Sequence, residues 1–189
     1  STTDNDANDV TLTATAGNIT VALLNAGSSG DADLSATSGT ITGSGLTADV
    51  LTADASTAIT LATTVASADL STSGAGDITI TGEDGITLTD VDAANGSISV
   101  TSTTGDIVAT DVVSTTDADA NDITLTSTGG MITVGTVNAG TTAGDVNLNS
   151  TDLDITTSLQ GHEVLITENN DAGIKLAHAT GVGMTVTDT

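Results

Sequence analysis

Short runs of alternating apolar and polar residues recur along the chain, each introduced by glycine and one variable residue. Gly17-Asn18-Ile19-Thr20-Val21, Gly76-Asp77-Ile78-Thr79-Ile80, Gly96-Ser97-Ile98-Ser99-Val100, Gly130-Met131-Ile132-Thr133-Val134 and Gly144-Asp145-Val146-Asn147-Leu148 share this form. Gly30-Asp31-Ala32-Asp33-Leu34 and Gly105-Asp106-Ile107 are looser copies. A period of two sends Ile, Val and Leu to one face and Thr, Ser and Asn to the other, the pattern of a strand buried on one side. Gly followed by Asp or Asn favours a turn, because both tolerate left-handed backbone angles. A helix is excluded: β-branched residues dominate, glycine interrupts the runs, and no 3.6-residue period persists.

Strand starts fall in pairs nine residues apart, as in Val10 to Ile19, Ile98 to Ile107, Ile123 to Ile132 and Val146 to Ile155. Corresponding strands return after 22 residues (Val10 to Ala32), 20 (Ile78 to Ile98), 25 (Ile98 to Ile123) and 23 (Ile123 to Val146). Such intervals match one coil of a solenoid with two or three short strands. The expected fold class is all-β: a right-handed parallel β-helix (β-solenoid) of about nine coils of roughly 20–25 residues, an elongated rod about 40–45 Å long.

A longer period overlies the short one. Ser1 to Gly27 aligns with Ser114 to Gly140 with 19 of 27 positions identical. Gly30 to Leu34 then meets Gly144 to Leu148, Ile41-Thr42 meets Ile155-Thr156, Val50-Leu51 meets Val164-Leu165, and Ile59 to Ala62 meets Ile174 to Ala177. Residues 1–113 therefore read as one copy of a long solenoid repeat, and 114–189 as a partial second copy continuous with it. This organisation suggests one window on a longer array.

Composition narrows the picture. The 189 residues include no Phe, Tyr, Trp, Pro or Cys, yet 37% are hydrophobic. A core of Val, Ile, Leu and Ala has no ring to span a wide interior, so it must be thin and long. The net charge of −24 comes from 25 carboxylates against one Lys or Arg, Lys175. That balance excludes nucleic acid and anionic membranes as partners, since both are bound through clustered basic residues. No apolar run approaches the length of about 20 residues needed for a membrane helix. The absence of Cys removes disulfides and thiolate metal sites.

The cadence of strands such as Asp122-Ile123-Thr124-Leu125-Thr126 and Gly105-Asp106-Ile107-Val108-Ala109-Thr110 resembles that of filamentous-haemagglutinin-like adhesins and related large bacterial repeat exoproteins. The resemblance covers residues 8–155 well and the remainder loosely. It implies an extracellular or cell-surface β-solenoid, structural or adhesive in role. The Asn-Pro motif of that family's secretion domain has no counterpart in a chain without Pro.

Two acidic runs are the candidate metal sites: Asp4-Asn5-Asp6-Ala7-Asn8-Asp9 and Asp117-Ala118-Asp119-Ala120-Asn121-Asp122. Asp4, Asp6, Asn8 and Asp9, and equally Asp117, Asp119, Asn121 and Asp122, present oxygen at alternate positions, the arrangement that calcium prefers. The runs depart from an EF-hand, with Asp at the sixth loop position and Thr15 or Thr128 in place of the terminal Glu. They also lack the Gly-Gly-x-Gly-x-Asp pattern of calcium β-rolls. The competing reading is that acidic turns keep a long rod soluble. His162, Glu163, His178 and Lys175 fall in a divergent stretch without the spacing of a transition-metal site. Gly43-Ser44-Gly45-Leu46-Thr47-Ala48 matches a dinucleotide-loop pattern, but no helix follows, so it reads as a turn.

The expected function is a structural or adhesive segment of a secreted or cell-surface stalk or filament, not an enzyme. Its partners would be further copies end to end, or a covalent continuation, together with a cell-surface or glycan ligand. Two alternatives come from other classes. A polysaccharide-degrading β-helix would need cationic groups and sugar platforms that this composition lacks. An ice-binding β-helix is suggested by Thr79-Ile80-Thr81, Thr124-Leu125-Thr126 and similar strings. It requires Thr to align between coils, and the unequal coil lengths and mixed Thr, Ser, Asp and Asn argue against alignment.

Overall fold

The computed structural model describes residues 8–169, 175–176, 179–181 and 183–188. These form an 18-stranded sheet with no helix, and its strand pairings are parallel. The chain winds as a β-solenoid of about eight turns, close to the nine coils expected from spacing.

Two walls carry most of the pairing. The first stacks Val10–Ala14, Ala32–Ala36, the later parts of Ile41–Ala55 and Ile59–Ala75, then Ile86–Asn95, Ile107–Ser114, Met131–Asn138 and Asp152–Gln160. The second begins with Ile19–Val21 and the opening residues of Ile41–Ala55 and Ile59–Ala75. It continues through Ile78–Gly82, Ile98–Ser102, Ile123–Ser127, Val146–Ser150, Glu163–Glu168 and Gly183–Asp188. Its ladder is read in one line: Ile19, Ile41, Ile59, Ile78, Ile98, Ile123, Val146, Val164, Met184.

Inward positions of both walls meet in one core of Ile, Leu, Val and Ala. Where a strand ends, an inward hydroxyl replaces the aliphatic residue and satisfies the turn. Buried Ser102 Oγ donates to the carbonyls of Asp84 and Gly105, Ser127 Oγ to that of Gly105, and Ser114 Oγ to that of Gly96. A buried hydroxyl costs little when its proton is bonded in this way.

The turns stack as tightly as the strands. A Cβ added to Gly96 would lie 2.1 Å from the Gly76 carbonyl oxygen, and one on Gly105 would lie 2.2 Å from the Gly85 nitrogen. Glycine is required at these corners because the backbones of successive coils touch. Gly45 differs. It has a φ of 76° beside a register shift between Ser44 and Leu46, so the segment 43–48 is a bulged corner inside Ile41–Ala55 and not a free turn.

The long repeat meets the coils in a way that spacing alone does not show. Val10–Ala14 lies in the first wall, but its repeat counterpart Ile123–Ser127 lies in the second. Ile19–Val21 and Met131–Asn138 are exchanged likewise. One copy thus spans a half-integral number of coils, and equivalent strands of the two copies occupy different walls. Their junction falls within Ile107–Ser114.

Two alignments between the copies also shift. Ile19 pairs with Ile41, whereas Ile132 pairs with Leu153, so Leu153 rather than Ile155 takes the place of Ile41. Ala32 pairs with Leu51 and Val146 with Val164, which sets Val164 against Leu51. Register follows the neighbouring coil, because a one-residue slip would turn every core residue outward.

Candidate functional site

The Asp and Asn residues that stand before several of the strands have a geometric role. Asp9 Oδ1 accepts the backbone N–H of Asp31 at 3.1 Å, and Asp31 Oδ1 accepts that of Val50 at 3.2 Å. On the second wall, Asp122 Oδ1 accepts the N–H of Asp145 at 3.0 Å, and Asp145 Oδ1 that of Glu163 at 2.9 Å. Asn18, Asp77 and Asp106 hold Thr40, Ser97 and Met131 in the same manner. In each case the acceptor immediately precedes the first inward residue of its strand, and the donor holds the same place one coil later. The separations of 18 to 25 residues are the coil lengths themselves. Every one of these staples points toward the C-terminus.

Asp117 makes a denser contact. The N–H groups of Thr141 and Thr142 donate to Oδ2 at 3.0 and 2.9 Å, and those of Ala143 and Gly144 to Oδ1 at 2.8 and 3.1 Å. Four convergent amides form a small anion nest. The Gly144 amide, followed by those of Thr141, Ala143 and Thr142, holds the Asp117 carboxyl well below the usual range. Gly140, at a φ of 100°, permits the close approach: a Cβ there would lie 2.3 Å from the carboxyl carbon.

Of the expected calcium ligands, Asp4 and Asp6 lie outside the described residues, and Asn8 and Asp9 open the first described coil. In the second run Asp117 is committed to its nest and Asp122 to its staple. Asn121 is buried, donating from Nδ2 to Asn95 Oδ1 at 2.9 Å and to the Thr116 carbonyl at 2.8 Å. Asp119 is exposed. Among the described residues, no three His, Cys, Asp or Glu side chains gather where they could hold a metal ion. His162 Nδ1 lies 3.5 Å from Asp145 Oδ1; His178 and the Lys175 side chain fall outside the described residues.

The outer surfaces of the two walls differ in charge. The first exposes Asp33, Asp54, Asp69, Asp90, Asp92 and Asp111. Asp69 pairs in register with Asp90, and Ser71 with Asp92. Partial burial, with Asp90 and Asp54 adding repulsion, raises the Asp69 carboxyl. Partial burial together with Asp90, Asp111 and Asp69 raises that of Asp92.

The second wall carries two outward ranks instead. Thr20, Thr42, Thr60, Thr79, Ser99 and Thr124 form one, continued by Asn147, Leu165 and Thr185. Thr81, Thr101, Thr126, Asn149, Thr167 and Thr187 form the other, after Ala62. Neither rank contains a charged residue. Asp77, Asp122, Asp145 and Glu163 stand at the corner where the chain enters the wall, Glu83 and Asp84 follow the end of Ile78–Gly82, and Glu168 at the end of Glu163–Glu168 is buried.

The sequence shows the Thr strings and the acidic turns but not this segregation. The signal is present: staple acceptors sit directly before an inward Ile, Val or Ala. Their donors are a coil away, however, and nothing local marks them. No family model, curated protein or solved structure matches the chain.

Proposed function

We propose that the chain is a segment of an extracellular or cell-surface fibre, a structural and adhesive rod of the kind its strand cadence suggests. The observation carrying this reading is the uninterrupted second-wall ladder from Ile19 to Met184 around a single core. Such a body serves reach and spacing, since each coil needs only its two neighbours. The hollows along it, such as that lined by Asp9, Thr11, Asp31, Asp33 and Thr52, lie between outward side chains of adjacent coils. A net charge of −24 keeps parallel rods apart. Further copies add by the same stacking, because the two copies already join inside one strand with pairing on both sides. This covers both modes of growth, within a longer chain and between chains.

Gold-labelled antibody against the segment tests the reading on sections of the source cells. Label on surface fibres or shed matrix is the expected result, whereas label confined to the cell interior would overturn it.

A further inference from the structure

We propose that the outer face of the second wall is an ice-binding surface, its ligand being the ordered water layer of an ice crystal. Unequal coil lengths spoke against this at the level of sequence, and the structure removes that objection. Differences in length are taken up in the corners and on the first wall. Register shifts occur between Ser44 and Leu46, Ala68 and Asp69, Thr72 and Ala75, and Val134 and Thr136. The pairings between separate second-wall strands contain none. Thr79, Ser99 and Thr124 therefore stand in one rank and Thr81, Thr101 and Thr126 in the next.

Ranks of this kind repeat about every 4.8 Å between coils and about 6.7 Å along a strand. A two-dimensional lattice on that scale resembles the spacing of water on the faces of hexagonal ice. Thr20 Oγ1 and Thr42 Oγ1 lie 3.3 Å apart, so neighbouring hydroxyls within a rank can share one water network.

Charge supports the same occupant. A carboxylate organises its own hydration shell and disturbs an ice-like layer, and neither Thr rank contains one, Asp77, Asp122, Asp145 and Glu163 standing at the edge where the chain enters the wall. A glycan ligand would call for aromatic platforms, and the composition contains none. A second copy of the chain is the other conceivable occupant of a neutral face, and the test separates it. The proposal does not depend on the fibre reading, since a rod from any location could bind ice.

The full chain is assayed for thermal hysteresis and for inhibition of ice recrystallisation, with light scattering at the same concentrations. Crystal shaping and a hysteresis gap are expected. Both should be lost in Thr101→Lys and retained in Thr52→Lys on the first wall, with circular dichroism confirming strand content. Should Thr101→Lys fail to fold, Thr101→Ser decides: it keeps the hydroxyl, removes the methyl and is expected to reduce the gap. Absence of ice activity in the parent chain would overturn the proposal, as would equal behaviour of folded Thr101→Lys and Thr52→Lys or an unchanged Thr101→Ser. Dimerisation abolished by Thr101→Lys without ice activity would assign the face to self-association instead.

Discussion

An aspartate directly before an inward residue serves the next coil more than its own. Asp77 accepts the Ser97 N–H at 2.8 Å, and Asn18 accepts that of Thr40 at 3.0 Å, so the staple works with or without a charge. Asp77→Ala is therefore expected to cost about 1 kcal/mol, the net value of one such hydrogen bond. Asp77→Asn should lie near the parent, keeping the acceptor while removing one negative charge. Urea melts of the three proteins check this, and equal losses in both variants would mean that the staple is not what Asp77 contributes. Turn propensity and charge make these aspartates conspicuous in the sequence, and both readings of them are local: a cation site or a solvated turn. The partner amide lies 18 to 25 positions away and carries no marker of its own. Asp117 shows the same limit, since its nest is built from backbone groups of Thr141 to Gly144 that any sequence would possess.

At the scale of the strand and turn, alternation identified the elements because a strand's period is fixed at two. It could not assign them to walls. Val10–Ala14 and Ile123–Ser127 share three of five residues and the same alternation, yet they stack in different walls after a half-integral number of coils. Their staples follow them: Asp9 to Asp31 to Val50 runs on the first wall, and Asp122 to Asp145 to Glu163 on the second. A strand with inward aliphatics and a leading Asx thus fits either wall, which is why the repeat tolerates the exchange. Corners are less forgiving. Gly96 meets the Gly76 carbonyl where any Cβ would lie 2.1 Å from oxygen. Gly96→Ala should lower stability by at least about 2 kcal/mol through overpacking against backbone that cannot rotate away. A chemical melt of this variant within 0.5 kcal/mol of the parent (roughly the scale of a neutral surface change) would show that the corners have slack.

Over the whole molecule, the division between an acidic wall and a neutral one sets the response to pH. Asp69 and Asp92 have carboxyls raised from 3.8 by partial burial and by neighbouring aspartates. The folded state therefore holds their protons more tightly than the unfolded chain, and stability falls as pH rises through the raised values. Acidification from neutrality toward 3.8 should accordingly stabilise the rod, the more so as its general self-repulsion declines. Asp117 acts in the opposite sense. Its carboxyl is lowered from 3.8 by the four amides, so its contribution is present above 3.8 and is lost as pH falls through the depressed value. The melting temperature should therefore rise from pH 7 to a maximum in mild acid and decline below 3.8. Asp69→Asn should flatten the rising limb, and Asp117→Asn, which keeps a single acceptor oxygen, the falling one. Salt should reduce the rise on acidification by screening the aspartates of the first wall, while leaving the short contacts of the nest less affected. Thermal melts across this range provide the check. A parent melting temperature that falls steadily from neutrality downward would mean that repulsion along the acidic wall does not limit the stability of the rod.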